Sequence, residues 1–269
     1  MKYIMTTSLV LLSVSMSYAV NNLRIPNIRS LGMGGNEVTQ SSLFNPAIVS
    51  LSTNSHVDFE YFNRYGLKEL SSLSGIFSYY NNYVPLAFNV FSFGYDDYRE
   101  SMFRFSLSKQ LSDKWFLGVS FQYSLIQIKY YEEQLGRFST DVGFLFNPVD
   151  DVLIGVLISD LPSVKINDEN INTNSFNNYL IQIGFQYKVI NTVLIAASLG
   201  HNNRKNIYPD LGIEFEPYEN VFVRAGMEGD LVMPTVGVGY KYSDFNINTA
   251  FTYHSVLGIS SGIGISYSF

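Results

Sequence analysis

The sequence predicts an all-β protein, a transmembrane antiparallel up-and-down β-barrel of about 14 strands with a short N-terminal plug segment. Residues 259–269 give the strongest signal, because Ile, Tyr and Phe alternate there with Ser and Gly up to the terminal Phe269. Side chains alternate between the two faces of a β-strand, so this segment has one apolar face and one small, polar face. The N-terminus and the composition of the chain indicate the same class of protein.

Similar alternation recurs along the chain. An even count of strands places both ends of a barrel on one side of the membrane. Divided among these segments, residues 56–269 give about 15 residues for each strand with its turn, which fits membrane strands of roughly 9–11 residues. A barrel of about 12 strands would also fit if two weaker segments were loops. Alternation is clear in residues 103–108, 115–125, 179–188, 211–215, 221–226, 245–254 and 259–269, and weaker in residues 56–64, 69–80, 83–94, 137–146, 151–160, 191–200 and 232–242.

Tight turns and longer connections alternate between these segments. Outer-membrane barrels have short periplasmic turns and longer extracellular loops, so we expect the longer connections, residues 95–100, 161–177 and 201–206, to face outward. The tight turns contain Asn, Asp, Pro and Ser, which favour turn conformations. They are predicted at residues 81–82, 112–113, 147–150, 190–191, 217–220 and 243–244.

Composition excludes several classes of protein. The chain has no cysteine, so it forms neither a disulfide nor a thiolate metal site. Its net charge of −6 and the lack of a Lys/Arg cluster argue against a nucleic-acid partner. Charged residues make up 15% of the chain, against about 25% in soluble domains. A soluble β-sandwich would also alternate, but its polar faces would carry many charges instead of Ser, Gly, Asn and Gln.

The N-terminus is typical of a secretory signal. Lys2 supplies the positive charge, residues 4–14 are mostly apolar, and residues 17–19 end in the small residue that a cleavage site favours. This apolar run is shorter than the roughly 20 residues that cross a bilayer as a helix. We therefore predict a signal peptide at residues 1–19, a plug at 20–55 and a barrel at 56–269, in the outer membrane of a Gram-negative-type cell.

Charged residues within the predicted strands fall on the inward face. A charge on the lipid face would cost roughly 2–4 kcal/mol at mid-membrane, so their phase supports a barrel. Both signs are present, which favours mutual pairing that stiffens a filled barrel over a path for solutes. The predicted inward charges are Asp58, Glu60, Arg104, Asp141, Lys188, Glu214, Arg224, Glu228 and Lys241.

The sequence contains no residue pattern that indicates a catalytic site or a metal site. His56, His201 and His254 fall at strand ends or in loops, and His254 beside Ser255 lacks the third, orienting group of a hydrolase triad. No His, Asp or Glu spacing indicates a metal site, and the glycines of residues 32–35 lack the Lys-Ser/Thr of a phosphate loop. We expect no enzyme activity and no cofactor.

Several short motifs carry a family resemblance. Gly32-Met33-Gly34-Gly35 and Asn45-Pro46-Ala47 precede the first strand, and residues 147–161 and 253–260 add a strand-turn-strand and a last hairpin. In this order they resemble the FadL-like outer-membrane proteins, in particular the PorV/PorQ branch. The alternative interpretation of Gly32–Gly35 is a flexible lead-in, but apolar residues such as Leu31, Met33 and Phe44 would then lie in water.

The resemblance implies a fold and two functions. It implies a 14-stranded barrel with the N-terminal segment inside, embedded in outer-membrane lipid, inserted by the barrel-assembly machinery and monomeric. Tyr267 and Phe269 would form the C-terminal assembly signal. Such a barrel would pass small, hydrophobic solutes, or act as a surface shuttle for secreted protein cargo in a type IX-like system. The alternative is a non-transporting structural or partner-docking barrel.

Overall fold

The computed structural model describes residues 26–129, 134–166, 179–202, 207–229 and 232–269. The predicted signal peptide therefore lies outside the described residues. One short α-helix, α1 (Ile28–Gly32), and a 3₁₀ helix (Pro46–Leu51) precede the strands, and a second 3₁₀ turn (Lys68–Leu70) follows the first strand. The strands are β1 (His56–Asn63), β2 (Ser71–Tyr79), β3 (Leu86–Tyr95), β4 (Tyr98–Ser112), β5 (Trp115–Ile128), β6 (Leu135–Val149), β7 (Val152–Ser159), β8 (Ser163–Ile166), β9 (Leu180–Ile190), β10 (Val193–Asn202), β11 (Tyr208–Tyr218), β12 (Val221–Glu228), β13 (Met233–Tyr242), β14 (Phe245–His254) and β15 (Gly258–Ser268).

These strands close into an antiparallel barrel. Neighbours in sequence pair with each other, and β1 pairs with β15 from His56 opposite Ser268 to Asn63 opposite Ser261, which closes the sheet. Strand β8 lies outside the ring, because β7 pairs directly with β9. The ring therefore has 14 strands, as the sequence predicts.

Strand β6 pairs with two consecutive partners. Val142 pairs with Ile158 of β7, and further along β6 Ser139 pairs with Ser163 of β8. Between β7 and β8 the chain bends at Asp160, whose φ of 61° is uncommon for a residue other than glycine. The predicted connection 161–177 thus begins with strand structure, and its residues 167–177 lie outside the described residues.

One predicted loop is wrong. Residues 95–100 are predicted as a long connection, but Tyr95 pairs with Tyr98 across a tight turn at Asp96 and Asp97. The polar turn residues beside Gly94, whose φ is 104°, resemble a loop in sequence, although the strands continue almost up to them. Of the predicted connection 201–206, the first two residues belong to β10 and the rest lie outside the described residues.

Two predicted turns are strand over at least half of their residues. Residues 147–149 belong to β6 and residues 217–218 to β11, leaving only Asp150–Asp151 and Glu219–Asn220 as turns. In both cases the register shifts beside the turn, between Phe146 and Val149 and between Phe215 and Tyr218. A bulge lets the strand contain proline without a ladder donor there.

Inner and outer faces of the wall differ as the alternation predicts. Outward side chains are apolar and exposed, for example Phe59 at 60% and Ile183 at 52%. Aromatic rings stack at the end of the barrel that carries the tight turns: Trp115 on Phe146 with centroids 4.0 Å apart, and Tyr267 near Phe269 at 6.0 Å. Inward side chains are mostly Ser, Gly, Asn, Gln and buried charges.

Residues 26–55, here called the inner segment, pack against the inward face of the wall. Helix α1 contacts β12 to β15, and the 3₁₀ helix contacts β3 to β6. Its apolar side chains enter three buried clusters with wall residues, in which Ile28, Val38 and Ala47 are at most 1% exposed. The barrel interior is therefore a packed core in this region.

Candidate functional site

Inward glycines let the inner segment pack directly against the backbone of the strands. A Cβ added at Gly226 would lie 2.3 Å from the Gly34 nitrogen, and one at Gly143 would lie 1.9 Å from Asn45 Oδ1. Any larger side chain at these positions would overlap the inner segment. The inward glycines with such close neighbours are Gly118, Gly143, Gly155, Gly184, Gly212, Gly226, Gly237 and Gly262.

The Gly-Met-Gly-Gly motif forms a tight turn against β11, β12 and β13. Gly34 has a φ of 74°, its N–H donates to Thr235 Oγ1 at 3.0 Å, and a Cβ there would lie 2.3 Å from the Leu211 carbonyl oxygen. Gly35 also has a positive φ, 79°. Met33, which precedes Gly34, is fully buried. Glycine is needed at Gly34 for both conformation and space.

The Asn-Pro-Ala motif starts the 3₁₀ helix and fixes the inner segment to β5 and β6. Asn45 is fully buried; its Oδ1 accepts from the Ala47 N–H at 3.1 Å, and its Nδ2 donates to the Val38 carbonyl at 2.8 Å. Pro46 occupies the first turn, where its missing N–H costs nothing. The close approach of Ala47 to Gly118 completes the contact.

An ion triad joins α1 to β11 and β12, in which Glu214 and Arg224 are buried and the Arg29 side chain is 39% exposed. Both oxygens of Glu214 accept from Arg29, at 2.7 and 3.0 Å, and Oε2 also accepts from Arg224 Nε at 2.6 Å. Arg224 donates in addition to Asn248 Oδ1 at 2.9 Å. The carboxylate thus lies between two guanidinium groups, which is the mutual pairing that the sequence favours.

A second polar network links the inner segment to β4, β5 and β6. Arg104 lies 3.1 Å from Asp141 and donates to Gln122 at 2.7 Å and to the Leu43 carbonyl. Asp141, which is fully buried, accepts from the Asp160 N–H at 2.9 Å. The bend between β7 and β8 is therefore connected to the inner segment through side chains.

Asp160 extends this network across the bend. Its carboxylate accepts from Arg137 at 3.0 Å and from Ser139 at 2.8 Å. A third group joins the inner segment to β1, where Glu60 Oε1 accepts from Asn27 Nδ2 at 2.6 Å and from the Ile28 N–H at 3.3 Å. These groups hold the inner segment at several points around the wall.

The nine predicted inward charges do not form one site. Asp58, Glu60, Arg104, Asp141, Glu214 and Arg224 lie in the barrel interior in ion pairs or hydrogen bonds, and Glu228 is half-buried. Lys188 and Lys241 have the inward phase but are exposed at the end of the barrel with the tight turns.

Sequence reasoning missed several interior charges. Arg29 lies in the inner segment, where the alternation of strand residues that assigns inward and outward faces does not apply. Asp210 lies one residue before the predicted strand 211–215 and in phase with Glu214, so extending that strand would have found it. It accepts from Ser198 at 2.9 Å. Glu100 and Arg137, both buried, lay in a predicted loop and at a strand boundary.

Two of the histidines make contacts that shape the structure. His254 ends β14, and its Nδ1 accepts from the N–H groups of Val256 and Leu257, each at 3.1 Å, which shapes the last hairpin. His56 lies 3.5 Å from Asp58. Within the part of the chain that the structure describes, no group of three or more His, Cys, Asp or Glu side chains is placed to hold a metal ion.

Apolar side chains occupy the interior towards the end opposite the tight turns. Ile28 and Leu31 of α1 pack with Phe62, Phe91 and Met102, and Phe93 packs against this group. We call these residues the aromatic cluster. The five buried side chains are at most 6% exposed, because α1 packs on the barrel residues among them. Those barrel residues would offer an apolar molecule area to bury, its main source of affinity, where it took the place of α1.

Comparison with solved structures gives independent support for the barrel fold. The chain is similar to the deltaS2S3 mutant of the TodX monoaromatic hydrocarbon channel, with a TM-score of 0.67, 10% identity, and coverage of 93% of this chain and 100% of that chain. For the Pseudomonas putida toluene transporter TodX the TM-score is 0.61, the identity 12%, and the coverage 89% and 96%. For a Pseudomonas aeruginosa FadL homologue the values are 0.58, 11%, 91% and 98%.

No protein-family model matches the sequence, and no curated protein matches it either. The structural matches bear on the broader FadL-like resemblance and not on the PorV/PorQ branch. The closed antiparallel barrel of this chain is therefore the fold of the FadL-type hydrocarbon channels.

Proposed function

We propose that the protein is an outer-membrane channel that passes small apolar solutes. The observation that carries the proposal is the aromatic cluster, an apolar group packed between α1 and the strands inside a barrel whose other inward residues are mostly small and polar. It lies in a fold that this chain shares with channels described as carrying toluene or monoaromatic hydrocarbons.

The outer surface supports placement in a membrane. Outward positions of the ring strands carry mainly Ile, Leu, Val, Phe and Tyr, and most charges within the strands point inward, as lipid contact requires. Arg99 and Lys109 have the outward phase of β4 and lie near its two ends. The aromatic rings at the end with the tight turns fit a membrane interface. Export through the predicted signal peptide is part of this proposal.

The inner segment favours one alternative. Its backbone fits against wall glycines and its Arg29 is tied to Glu214, so the barrel could equally be filled permanently and serve as a structural or docking protein. The proposal does not extend to protein secretion, for which the comparisons supply no support.

Uptake by intact cells separates the channel from the docking barrel. The protein is expressed in a Gram-negative host without FadL-type channels, and entry of radiolabelled toluene is measured against a host with the empty vector. A channel raises the initial rate severalfold. Unchanged uptake, with the protein present in outer membranes as a band whose mobility shifts on boiling, contradicts transport and favours the docking barrel.

The proposed assembly signal has its own test. Phe269 is 59% exposed on the outer face, whereas Ser268 has the inward phase. We expect Phe269→Asp to lower the yield of the unboiled, fast-migrating band more than Ser268→Asp, because only the first places a charge against lipid. Equal yields would contradict the assignment of Phe269 to the assembly signal.

A further inference from the structure

Three neighbouring strands, β2, β3 and β4, carry buried polar groups without hydrogen-bond partners. Asn89 of β3 is 1% exposed, and neither its Oδ1 nor its Nδ2 has a partner. The large majority of buried side-chain polar atoms in proteins are hydrogen-bonded, so an amide with both ends unpaired requires an explanation. The same holds for the hydroxyls of Ser74, Ser78 and Ser106, each at most 2% exposed.

The strand register makes these four residues one surface. Asn89 lies opposite Ile76 of β2 on one side and opposite Arg104 of β4 on the other. In the next inward row, Ala87 lies opposite Ser78 and Ser106. Ser74 lies on the same face of β2 as Ile76, one inward position away. We call Ser74, Ser78, Asn89 and Ser106 the seryl wall.

An apolar part of the inner segment lies against the residues that flank Asn89. Leu43 and Phe44 pack in one buried cluster with Ile76, and Arg104 donates to the Leu43 carbonyl. Apolar side chains offer the amide of Asn89 nothing to bond with. The adjoining Gln40 and Ser41 of the inner segment also have buried polar side-chain atoms without partners. Residues 40–44 therefore pack beside Asn89, at its neighbours Ile76 and Arg104, and the polar groups of the seryl wall stay without partners.

The inward residues of β3 connect this wall with the aromatic cluster. From the loop end to the turn end they are Phe93, Phe91, Asn89 and Ala87. Two aromatic rings are thus followed by an unpaired amide and then by a small side chain. An apolar molecule moving down β3 from the aromatic cluster would meet Asn89 next.

We propose that the seryl wall is the binding site for the hydrogen-bonding group of a solute that is otherwise apolar, and that the solute reaches it by displacing residues 40–44 from the wall. The solute class is a small aromatic or aliphatic molecule with a single hydroxyl group. Its hydroxyl donates to Asn89 Oδ1 and accepts from Asn89 Nδ2, while its apolar part packs on Ile76. This inference rests on the proposed transport function and specifies its substrate and route.

The test compares p-cresol with toluene, which differ by one hydroxyl. Initial uptake of both radiolabelled probes is measured in intact cells expressing wild type, Asn89→Ala or Asn246→Ala. Asn246 is the matched control. It is an inward asparagine on β14, which β15 and β1 separate from the seryl wall. We expect Asn89→Ala to lower p-cresol uptake about fivefold, the effect of one lost hydrogen bond, and to leave toluene uptake unchanged. Asn246→Ala changes neither.

Ser106→Ala is the second variant, in case Asn89→Ala fails to give a heat-shifted barrel band. It removes one hydroxyl of the wall, and we expect a smaller but equally selective loss of p-cresol uptake. Equal changes for both probes, or none for either in an assembled variant, overturn the proposal. If the wild type admits neither probe, the proposed transport function itself fails, whereas uptake of both with insensitive variants removes only this inference.

A cross-link tests the displacement of residues 40–44. The chain has no cysteine, so Phe44→Cys with Ile76→Cys can be joined by a short bis-methanethiosulfonate and released by a reductant. We expect p-cresol uptake to stop on cross-linking and to return on reduction. The matched pair is Ser50→Cys with Ser108→Cys, whose native hydroxyls lie 2.7 Å apart and join the inner segment to β4 outside the seryl wall. Uptake that persists with the first pair joined, or stops equally with both, contradicts the route.

Discussion

The inner segment meets the barrel wall in two different ways. Against β11 to β15 its backbone enters a row of glycines, and Arg29 shares the Glu214 carboxylate with Arg224. Against β2 to β4 it lays Leu43 and Phe44 beside polar groups that it does not satisfy. Close steric fit and paired charges hold a segment in one place, whereas unsatisfied polar groups cost about 1–3 kcal/mol each and favour separation. The two contacts should therefore differ in strength.

Deleting residues 24–50 removes both contacts and should have the largest effect. The wall keeps its full ladder of strand pairing, so we expect the barrel to assemble and its conductance in planar bilayers to rise severalfold over that of the wild type. The heat-shifted band reports assembly. An assembled deletion variant with unchanged conductance would mean that the inner segment does not obstruct the lumen.

Glu214→Gln weakens only the first contact. It leaves the guanidinium of Arg224, whose side chain is 2% exposed, without its anion, and breaking a buried ion pair costs about 3–5 kcal/mol. We expect a lower free energy of unfolding in urea titrations. Glu219→Gln, in an exposed turn, is the matched control and should change it by less than about 0.5 kcal/mol. Equal stability of the two variants would show that the triad does not hold the inner segment.

Gly226→Val tests the steric part of that contact. Its Cβ would lie 2.3 Å from the Gly34 nitrogen, so we expect a loss of about 1–3 kcal/mol or displacement of the inner segment with increased conductance. Gly75→Val is the control on the outer face, where the nearest atom, in the Phe59 ring, is 3.6 Å away. If both variants behave like the wild type, the glycine row, Gly212, Gly226, Gly237 and Gly262, does not fix the position of the inner segment by close packing.

Two serines of β4 compare the contacts within one strand. Ser108 Oγ lies 2.7 Å from Ser50 Oγ and 3.2 Å from the Ala47 carbonyl oxygen, whereas Ser106 has no partner. We expect Ser108→Ala to lower the free energy of unfolding by about 1 kcal/mol, and Ser106→Ala to leave it unchanged or raise it slightly. A loss at Ser106 as large as at Ser108 would indicate that the seryl wall is satisfied after all.

Much of the wall follows from local pattern. The count of strands is confirmed, because a period of two needs only neighbouring residues to be recognised. The structure places Glu60, Arg104, Glu214 and Arg224, four of the predicted inward charges, among the buried residues. Where strands meet turns the pattern fails. Asp96 and Asp97 suggest a long loop from their composition, but they form a two-residue turn. Pro148 and Pro217 suggest turns, but both lie in strands next to a bulge.

The interior site depends on contacts that no period encodes. The sequence predicts an inner segment from its apolar residues, but not that Gly34 meets Gly226 or that Arg29 meets Glu214, which are 185 residues apart. Nor does it show that Asn89 lacks partners, since that depends on what lies above the wall. Alternation assigns a residue to a face, and only the three-dimensional arrangement shows what that face touches.

The glycine row also constrains the order of folding. Pairing of β1 with β15 joins the two strands most distant in sequence, and loop-closure entropy makes such a pairing late. The inner segment precedes β1 directly, yet it touches β15 at Gly262 and β12 at Gly226 with no spare room. A finished cylinder would offer it no way in at these close contacts. The segment must therefore be in place while the seam is still open, although the strands can pair and close without it.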